Sequence, residues 1–175
     1  MNSHSSPQIL FRPDEIAETV ERLASEISRD YQGKNPILLA VLKGSFVFMS
    51  DLVRCLDFPL EVEFVRLSSY GRGRSTPGEI RLENGLRTEV RGRDVLIIED
   101  IVDSGLTVAF LRDYLRERNP ASLKLCALTD KPSRRQVPLT IDYLGFTVPD
   151  KFIVGYGMDW DEKFRNLPYI GYVEV

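Results

Sequence analysis

The sequence predicts an α/β fold in which helices flank a mainly parallel, twisted sheet. One observation behind this is the order of its segments, which alternate between short apolar runs and stretches of helical period. Another is the run VLII at residues 95–98, which is apolar without alternation, as in a strand covered on both faces. A third is that polar residues directly follow several predicted strands, where open α/β sheets bind ligands.

Local periodicity defines the individual elements. Residues 13–31 carry an apolar stripe of helical spacing behind an acidic first turn, and residues 60–67 alternate with period two. The predicted elements are, in chain order, helix 13–31, strand 36–42, helix 45–56, strand 60–67, strand 94–98, helix 106–119, strand 122–129 and short strands over 142–164, broken by Pro149, Gly155 and Gly157.

The chain is long enough for one core and too short for two comfortable ones, so we expect a single domain over residues 1–175. Residues 1–10 form a largely polar tail and are expected to be disordered. Residues 68–82, rich in Gly, Ser and Arg, are expected to form a mobile loop.

Composition argues against several classes of protein. The net charge of −3 and the isoelectric point near 5.3 argue against a general nucleic-acid binder, which needs surplus Lys and Arg to neutralise phosphates. No run approaches the roughly 20 apolar residues of a membrane span, and no leader pattern opens the sequence. Cys55 and Cys126 lack metal-type spacing and are expected to be reduced core thiols. We therefore expect a cytoplasmic protein without nucleic-acid or membrane partners.

Polar residues follow three predicted strands. Lys43, Gly44 and Ser45 follow the first, EDIVDSGLT follows VLII, and Asp130 and Lys131 follow ALT. Because the carboxyl ends of parallel strands meet at one edge of a sheet, these groups are expected to form one site.

The acids of EDIVDSGLT allow two interpretations. In the first, Asp103 or Ser104 caps the helix that begins near Leu106, while Glu99 and Asp100 are solvated charges. In the second, DSGLT presents backbone N–H groups and hydroxyls to a phosphate at a helix N-terminus. The two preceding acids would then bind the hydroxyls of a ribose 5-phosphate and hydrated Mg²⁺.

The segment VLIIEDIVDSGLT closely resembles the phosphoribosyl-diphosphate binding motif of type I phosphoribosyltransferases. The further segments VLKGSFVFMSDL, SSYG, LTDKPSRR and VPDKFIVGYGMDWDEKFRNLPYIG resemble, in order and spacing, the hypoxanthine-guanine phosphoribosyltransferase family. The resemblance covers nearly the whole chain after about residue 10. It implies the type I phosphoribosyltransferase fold, with a small hood formed by the N- and C-terminal segments and a flexible lid loop.

The resemblance also implies an activity. It is the Mg²⁺-dependent transfer of the 5-phosphoribosyl group from 5-phosphoribosyl 1-diphosphate to N9 of hypoxanthine or guanine, giving IMP or GMP and pyrophosphate in purine salvage. Relatives form dimers or tetramers, so a homodimer or homotetramer is expected. They also contain a non-proline cis peptide at the position of Leu42 and Lys43.

Residue roles follow from the same resemblance. The 5′-phosphate contacts are Asp103, Ser104, Gly105, Leu106 and Thr107, the ribose and Mg²⁺-water contacts are Glu99 and Asp100, and the pyrophosphate contacts are Lys43, Gly44 and Arg165. The lid residues are Ser69 and Tyr70, the purine contacts are Lys131, Lys151, Phe152, Ile153 and Asp159, and the metal ligands are Glu99, Asp100 and Asp159. Asp103 is implied as the general base, and Lys131, which can only donate, favours a 6-oxo group over the 6-amino group of adenine.

Three points stay open at this level. The fold could serve a nucleotide-sensing regulator, perhaps one that binds RNA, although the acidic composition argues against RNA. A transferase for another base is disfavoured by VPDKFIVGY. The preference among hypoxanthine, guanine and xanthine is not predicted, because these bases differ at C2, where the implied contacts are mostly from the backbone.

Overall fold

The helices and strands lie largely where periodicity predicts them. A computed structural model describes residues 6–69, 80–83 and 85–174. The helices are α1 (Pro13–Tyr31), α2 (Phe46–Arg54) and α3 (Leu106–Arg116), with a 3-10 turn at Pro132–Arg134. The strands are β1 (Gln8–Phe11), β2 (Ile37–Leu42), β3 (Glu61–Ser69), β4 (Ile80–Leu82), β5 (Asp94–Val102), β6 (Ser122–Asp130), β7 (Tyr143–Thr147), β8 (Phe152–Val154) and β9 (Ile170–Val173).

The main sheet has the strand order β4-β3-β2-β5-β6-β7, and only the β3–β4 pair is antiparallel. In its centre, Leu96 and Ile98 pack into the core beneath α1 and α2, whereas Val95 and Ile97 pack into the core beneath α3. All four side chains are fully buried, which explains why this strand is apolar without alternation. The predicted parallel α/β sheet is confirmed.

A second, three-stranded antiparallel sheet of order β1-β9-β8 forms the hood that the family resemblance implies. The expectation that residues 1–10 are disordered is wrong for residues 8–10, which belong to β1 and pair with β9. Backbone pairing of Gln8 with Tyr172, 164 residues further along the chain, orders this stretch, and local periodicity does not reveal it. Residues 1–5 lie outside the described part of the chain.

Two predicted boundaries and one burial prediction are also corrected. β5 continues past residue 98 to Val102, because β6 runs beside it as far as Asp130. The ends of the predicted loop 68–82 are strands, since β3 pairs with β4, while residues 70–79 are not described. Cys126 is buried as expected, but Cys55 is exposed because it follows the last turn of α2.

The turn after β2 contains the Leu42–Lys43 peptide bond, which is cis as the resemblance implies. Within the described residues, no helix combines the length and apolar character that crossing a membrane requires.

Candidate active site

The carboxyl ends of β2, β5 and β6 converge, as the sequence predicts. Gly44 packs so closely on the carboxylate of Asp100 that a Cβ atom would overlap it. The hydroxyl of Thr129 donates to the carbonyl oxygen of Asp100 at 2.8 Å, and the backbone N–H of Lys131 donates to that of Val102 at 2.9 Å. The turns after these three strands are therefore held against one another.

A cleft of about 760 Å³ opens over this edge, between the main sheet and the hood. Seven of the predicted site residues line it, namely Asp100, Asp103, Lys131, Lys151, Phe152, Ile153 and Asp159. Six further residues line the cleft that the sequence analysis did not predict, namely Ile101, Arg134, Asp150, Met158, Val173 and Glu174. Three of the six, Ile101, Asp150 and Met158, adjoin predicted positions in the chain, and Arg134 lies within LTDKPSRR, whereas no local signal points to Val173 or Glu174.

Two neighbouring carboxyl groups of β5, Glu99 and Asp100, have perturbed acidity, and Asp100 lines the cleft. Glu99 is only 7% exposed, and its Oε2 is buried without a hydrogen-bond partner among the described residues. Burial, followed by the adjacent Asp100, raises the pKa of Glu99 well above its usual range. Burial also raises the pKa of Asp100 to about 6, although the Arg165 guanidinium partly opposes the shift. The solvated-charge interpretation of Glu99 is therefore wrong.

The segment after β5 has the features of a phosphate loop. Gly105, with φ at 82°, is the residue before the first turn of α3, and α3 has no side-chain cap. The capping interpretation is thus wrong for Asp103, whose Oδ1 is buried without a partner among the described residues. Ser104 Oγ accepts only a local hydrogen bond from the Leu106 N–H at 3.3 Å. The first-turn N–H groups of α3 have no partners within the helix, so they can bind an anion.

Asp103 also faces the end of β6. Its Oδ2 lies 3.7 Å from the Nζ of Lys131, an ion pair in which the lysine side chain is 7% exposed. A buried ammonium is rare unless it is paired, so this contact holds the lysine in the cleft. An acceptor and a donor therefore stand side by side where a planar polar ligand would fit.

Two cations meet beside the turn after β2. Arg165 donates to the carbonyl oxygen of Gly157 at 2.8 Å and forms an ion pair with Asp159 at 2.8 Å. The Nζ of Lys43 lies 2.8 Å from Oε1 of Glu162, and Arg165 lies 3.3 Å from Oε2 of the same carboxylate. The structure thus brings the predicted pair Lys43 and Arg165 to one acid that the sequence reading did not select.

The hood supplies the apolar wall of the cleft. The ring of Phe152 is 43% exposed, and its centroid lies 6.2 Å from that of Trp160. Ile153, its neighbour in β8, is buried. Lys151 lies at the rim, 3.4 Å from the carboxylate of Glu174. An exposed aromatic face beside backbone groups suits a stacked heterocycle.

The acidic residues fit a hydrated divalent cation better than a directly bound one. The described residues contain no group of three metal-ligating side chains arranged around a common point. Asp159 is already paired with Arg165, whereas Glu99 keeps a buried oxygen without a partner. Because Mg²⁺ dehydrates reluctantly and usually keeps several of its waters, these carboxylates would contact it through that water shell. The predicted lid residues remain untested, since the Ser69 side chain and all of Tyr70 lie outside the described part.

Comparison with known proteins gives one family. A family model described as a phosphoribosyl transferase domain matches residues 9–161. The hypoxanthine-guanine phosphoribosyltransferase of Bacillus subtilis is 45% identical over 171 residues, which are 98% of this chain and 95% of that protein. The bifunctional protein TilS/HprT of Listeria innocua is 47% identical over 94% of this chain, but the chain spans only 25% of that longer protein.

Solved structures agree with the sequence relatives. A hypoxanthine-guanine phosphoribosyltransferase from Bacillus anthracis has a TM-score of 0.90 and 45% identity, covering 95% of this chain and 98% of its own. A hypoxanthine phosphoribosyltransferase from Staphylococcus aureus has a TM-score of 0.90 and 38% identity, covering 99% of this chain and 93% of its own.

Proposed function

The chain belongs to the phosphoribosyl transferase family, and from that premise we propose that it is a purine-salvage enzyme. It transfers the 5-phosphoribosyl group of 5-phosphoribosyl 1-diphosphate to N9 of hypoxanthine, guanine or both. The products are IMP or GMP and pyrophosphate. The observation that carries this proposal is the pairing of Lys131 with Asp103 in a cleft whose wall presents the ring of Phe152.

The base is bound by contacts that suit a 6-oxopurine. Phe152 stacks on the purine face, and Ile153 offers its backbone groups to the edge of the ring. Lys131 donates a hydrogen bond to O6. The 6-amino group of adenine could not accept this hydrogen bond. Asp103 accepts the proton that the base loses as N9 forms its bond to C1′, and its unpartnered Oδ1 supports this role. Lys151 supports the same pocket from the rim.

The phosphoribosyl donor lies across the strand ends. The 5′-phosphate binds the first-turn N–H groups of α3 and the loop before it, formed by Asp103, Ser104, Gly105, Leu106 and Thr107. Glu99 and Asp100 would face the ribose hydroxyls and the water shell of Mg²⁺, and Asp159 would supply a third carboxylate to hold the metal. When bound, Mg²⁺ neutralises charge on the pyrophosphate as its bond to C1′ breaks.

The leaving pyrophosphate is held by Lys43, Gly44 and Arg165. Ser69 and Tyr70 close over it as lid residues, which would keep water from the oxocarbenium-like centre. The register between β2 and β3 supports this proposal. Leu42, which directly precedes the turn with Lys43 and Gly44, is paired with Arg66, and β3 continues only three residues further, to Ser69.

We propose a homodimer or homotetramer, as the family resemblance implies. The exposed Phe46 and the apolar groove between α1 and α2 are the surface that such an assembly would cover. Light scattering behind a sizing column measures the mass directly, and a monomeric mass at micromolar concentration would contradict this proposal.

The deciding experiment is initial-rate turnover with phosphoribosyl diphosphate and Mg²⁺, comparing hypoxanthine, guanine, xanthine and adenine in parallel. We expect turnover of one or more 6-oxopurines and none of adenine. A folded protein that binds the donor but converts no base would refute the enzyme. The nucleotide-sensing alternative would then lead, and salt-dependent retention of RNA on filters would test it.

A further inference from the structure

A single surface acid, Glu162, bridges the two cations that the proposed function gives to pyrophosphate. Its Oε1 lies 2.8 Å from Nζ of Lys43, and its Oε2 lies 3.3 Å from Nη2 of Arg165. The first contact joins positions 119 residues apart in the chain. Both oxygens of one carboxylate are therefore used to neutralise the pyrophosphate-binding pair.

The loop that carries this acid holds it in place. The N–H of Glu162 donates to Asp159 at 2.8 Å, and Trp160 and Lys163 exchange two backbone hydrogen bonds at 3.0 and 3.1 Å. Glu162 has φ at 61°, in the left-handed region, as does the preceding Asp161 at 52°. The hydrogen bond from Lys43 lowers the pKa of Glu162, so the group is an anion at neutral pH.

We propose that Glu162 occupies the place of pyrophosphate in the free protein and competes with it for Lys43 and Arg165. The inference rests on the proposed function of that pair. A bound pyrophosphate must bring anionic oxygens to the same two cations, so the carboxylate has to leave before both contacts can form. The carboxylate thereby weakens the hold on pyrophosphate and on the phosphoribosyl donor, and it speeds release of the product.

The effect is specific to one part of the site. The proposed purine pocket is lined by Phe152 and Lys131, and among the described residues that line it Glu162 is absent. A change in the acid should therefore alter the KM for phosphoribosyl diphosphate and the inhibition by pyrophosphate, while the KM for the base stays the same. If Glu162 had only a structural role, both KM values and the inhibition by pyrophosphate would change together.

The test is calorimetric binding of inorganic pyrophosphate, with Mg²⁺, to the unmodified chain and to Glu162→Gln. We expect the variant to bind pyrophosphate roughly three- to tenfold more tightly, which is the range for losing two ion pairs at the surface of the protein. The matched control is Asp161→Asn in the same loop, whose carboxylate pairs only with Lys163 at 3.4 Å among the ion pairs of the described residues. It should leave the affinity unchanged.

Unchanged or weaker binding by Glu162→Gln would overturn the inference. The acid would then have no effect on pyrophosphate binding, or it would help binding by organising the two cations. An equal gain in Asp161→Asn would overturn it as well, because the effect would be one of net charge. Turnover of hypoxanthine by the unmodified chain is measured separately and tests only the proposed function. Pyrophosphate that binds neither protein would refute the inference whether or not turnover is seen.

Discussion

The carboxylate of Asp100 rests directly on the α-carbon of Gly44, which joins the turn after β2 to the end of β5. No side chain fits between them, because a Cβ atom at position 44 would overlap the carboxylate. We propose that Gly44 contacts the pyrophosphate and that Asp100 faces the metal-bound water, so their contact would set the distance between these ligands.

Gly44→Ala should therefore damage activity more than stability. The added methyl must displace Asp100 or the turn, and we expect kcat/KM for phosphoribosyl diphosphate to fall about 100-fold, as for a misplaced catalytic group. The matched control is Gly92→Ala, which meets open space but has φ at 69°. It should lose about 1–2 kcal/mol of folding free energy and keep its kcat/KM. Equal kinetic losses in both variants would contradict the proposed role of this contact.

Asp100→Asn should stabilise the protein at alkaline pH. Because burial raises the pKa of Asp100 to about 6 from 3.8, the folded state binds the proton more tightly, and stability falls as pH rises through that interval. At pH 8 the variant escapes a cost of up to about 3 kcal/mol, whereas below pH 4 the advantage disappears.

Urea unfolding of both proteins at pH 8 and pH 3.5 measures this difference, and turnover should fall in the same variant. The surface control is Asp113→Asn on α3, where the side chain is 75% exposed. A gain of the same size in the control, or one independent of pH, would rule out burial as its cause.

Phe152→Ala should weaken base binding alone. Stacking of a base on an aromatic ring contributes about 1–3 kcal/mol, so the KM for hypoxanthine should rise roughly 5- to 150-fold. The KM for phosphoribosyl diphosphate and the melting temperature should change little, because the ring is 43% exposed. Phe64→Ala removes an equally exposed ring from β3 and should leave both KM values unchanged. A parallel rise in the KM for the donor would argue against stacking.

Lys131→Met should reduce the discrimination against adenine. Loss of a charged hydrogen bond costs about 1.5–3 kcal/mol, so kcat/KM for hypoxanthine should fall roughly 10- to 100-fold. The kcat/KM for adenine, where it is measurable, should not fall. Parallel assays of the two bases give the ratio. Lys34→Met, at an exposed position that follows α1, is the control. An unchanged ratio would exclude Lys131 as the contact to O6.

The sequence predicts the parallel core well because burial on both faces leaves a direct imprint, as in residues 95–98. The convergence of Lys43, Asp100 and Lys131 was also predictable, since it follows from strand ends in a parallel sheet. Long-range pairing was not predictable from periodicity. β1 was expected to be disordered, but it pairs with β9 at the other end of the chain, and Phe11 stacks on Phe146.

Charge networks were the least accessible part of the site. The residues around Asp159 are rich in charge, and nothing in DWDEKFR distinguishes the acid that reaches Lys43 from the one that faces solvent. That choice depends on φ values in the left-handed region at Asp161 and Glu162, which local composition does not reveal. Exposure of Cys55 was missed for a similar reason, as it depends on where α2 ends.

The hood has a consequence for the order of folding. Gln8 and Tyr172 are 164 residues apart, so closing β1 onto β9 in an unfolded chain would cost a large loop entropy. Once the main sheet has formed, the segments that become β1 and β9 lie close together. Closing them onto each other then costs little loop entropy. We expect the main sheet, which carries the proposed phosphoribosyl site, to fold first and the hood, which carries the proposed purine contacts, to assemble last. A partly opened molecule would then lose its affinity for purines before its affinity for phosphates.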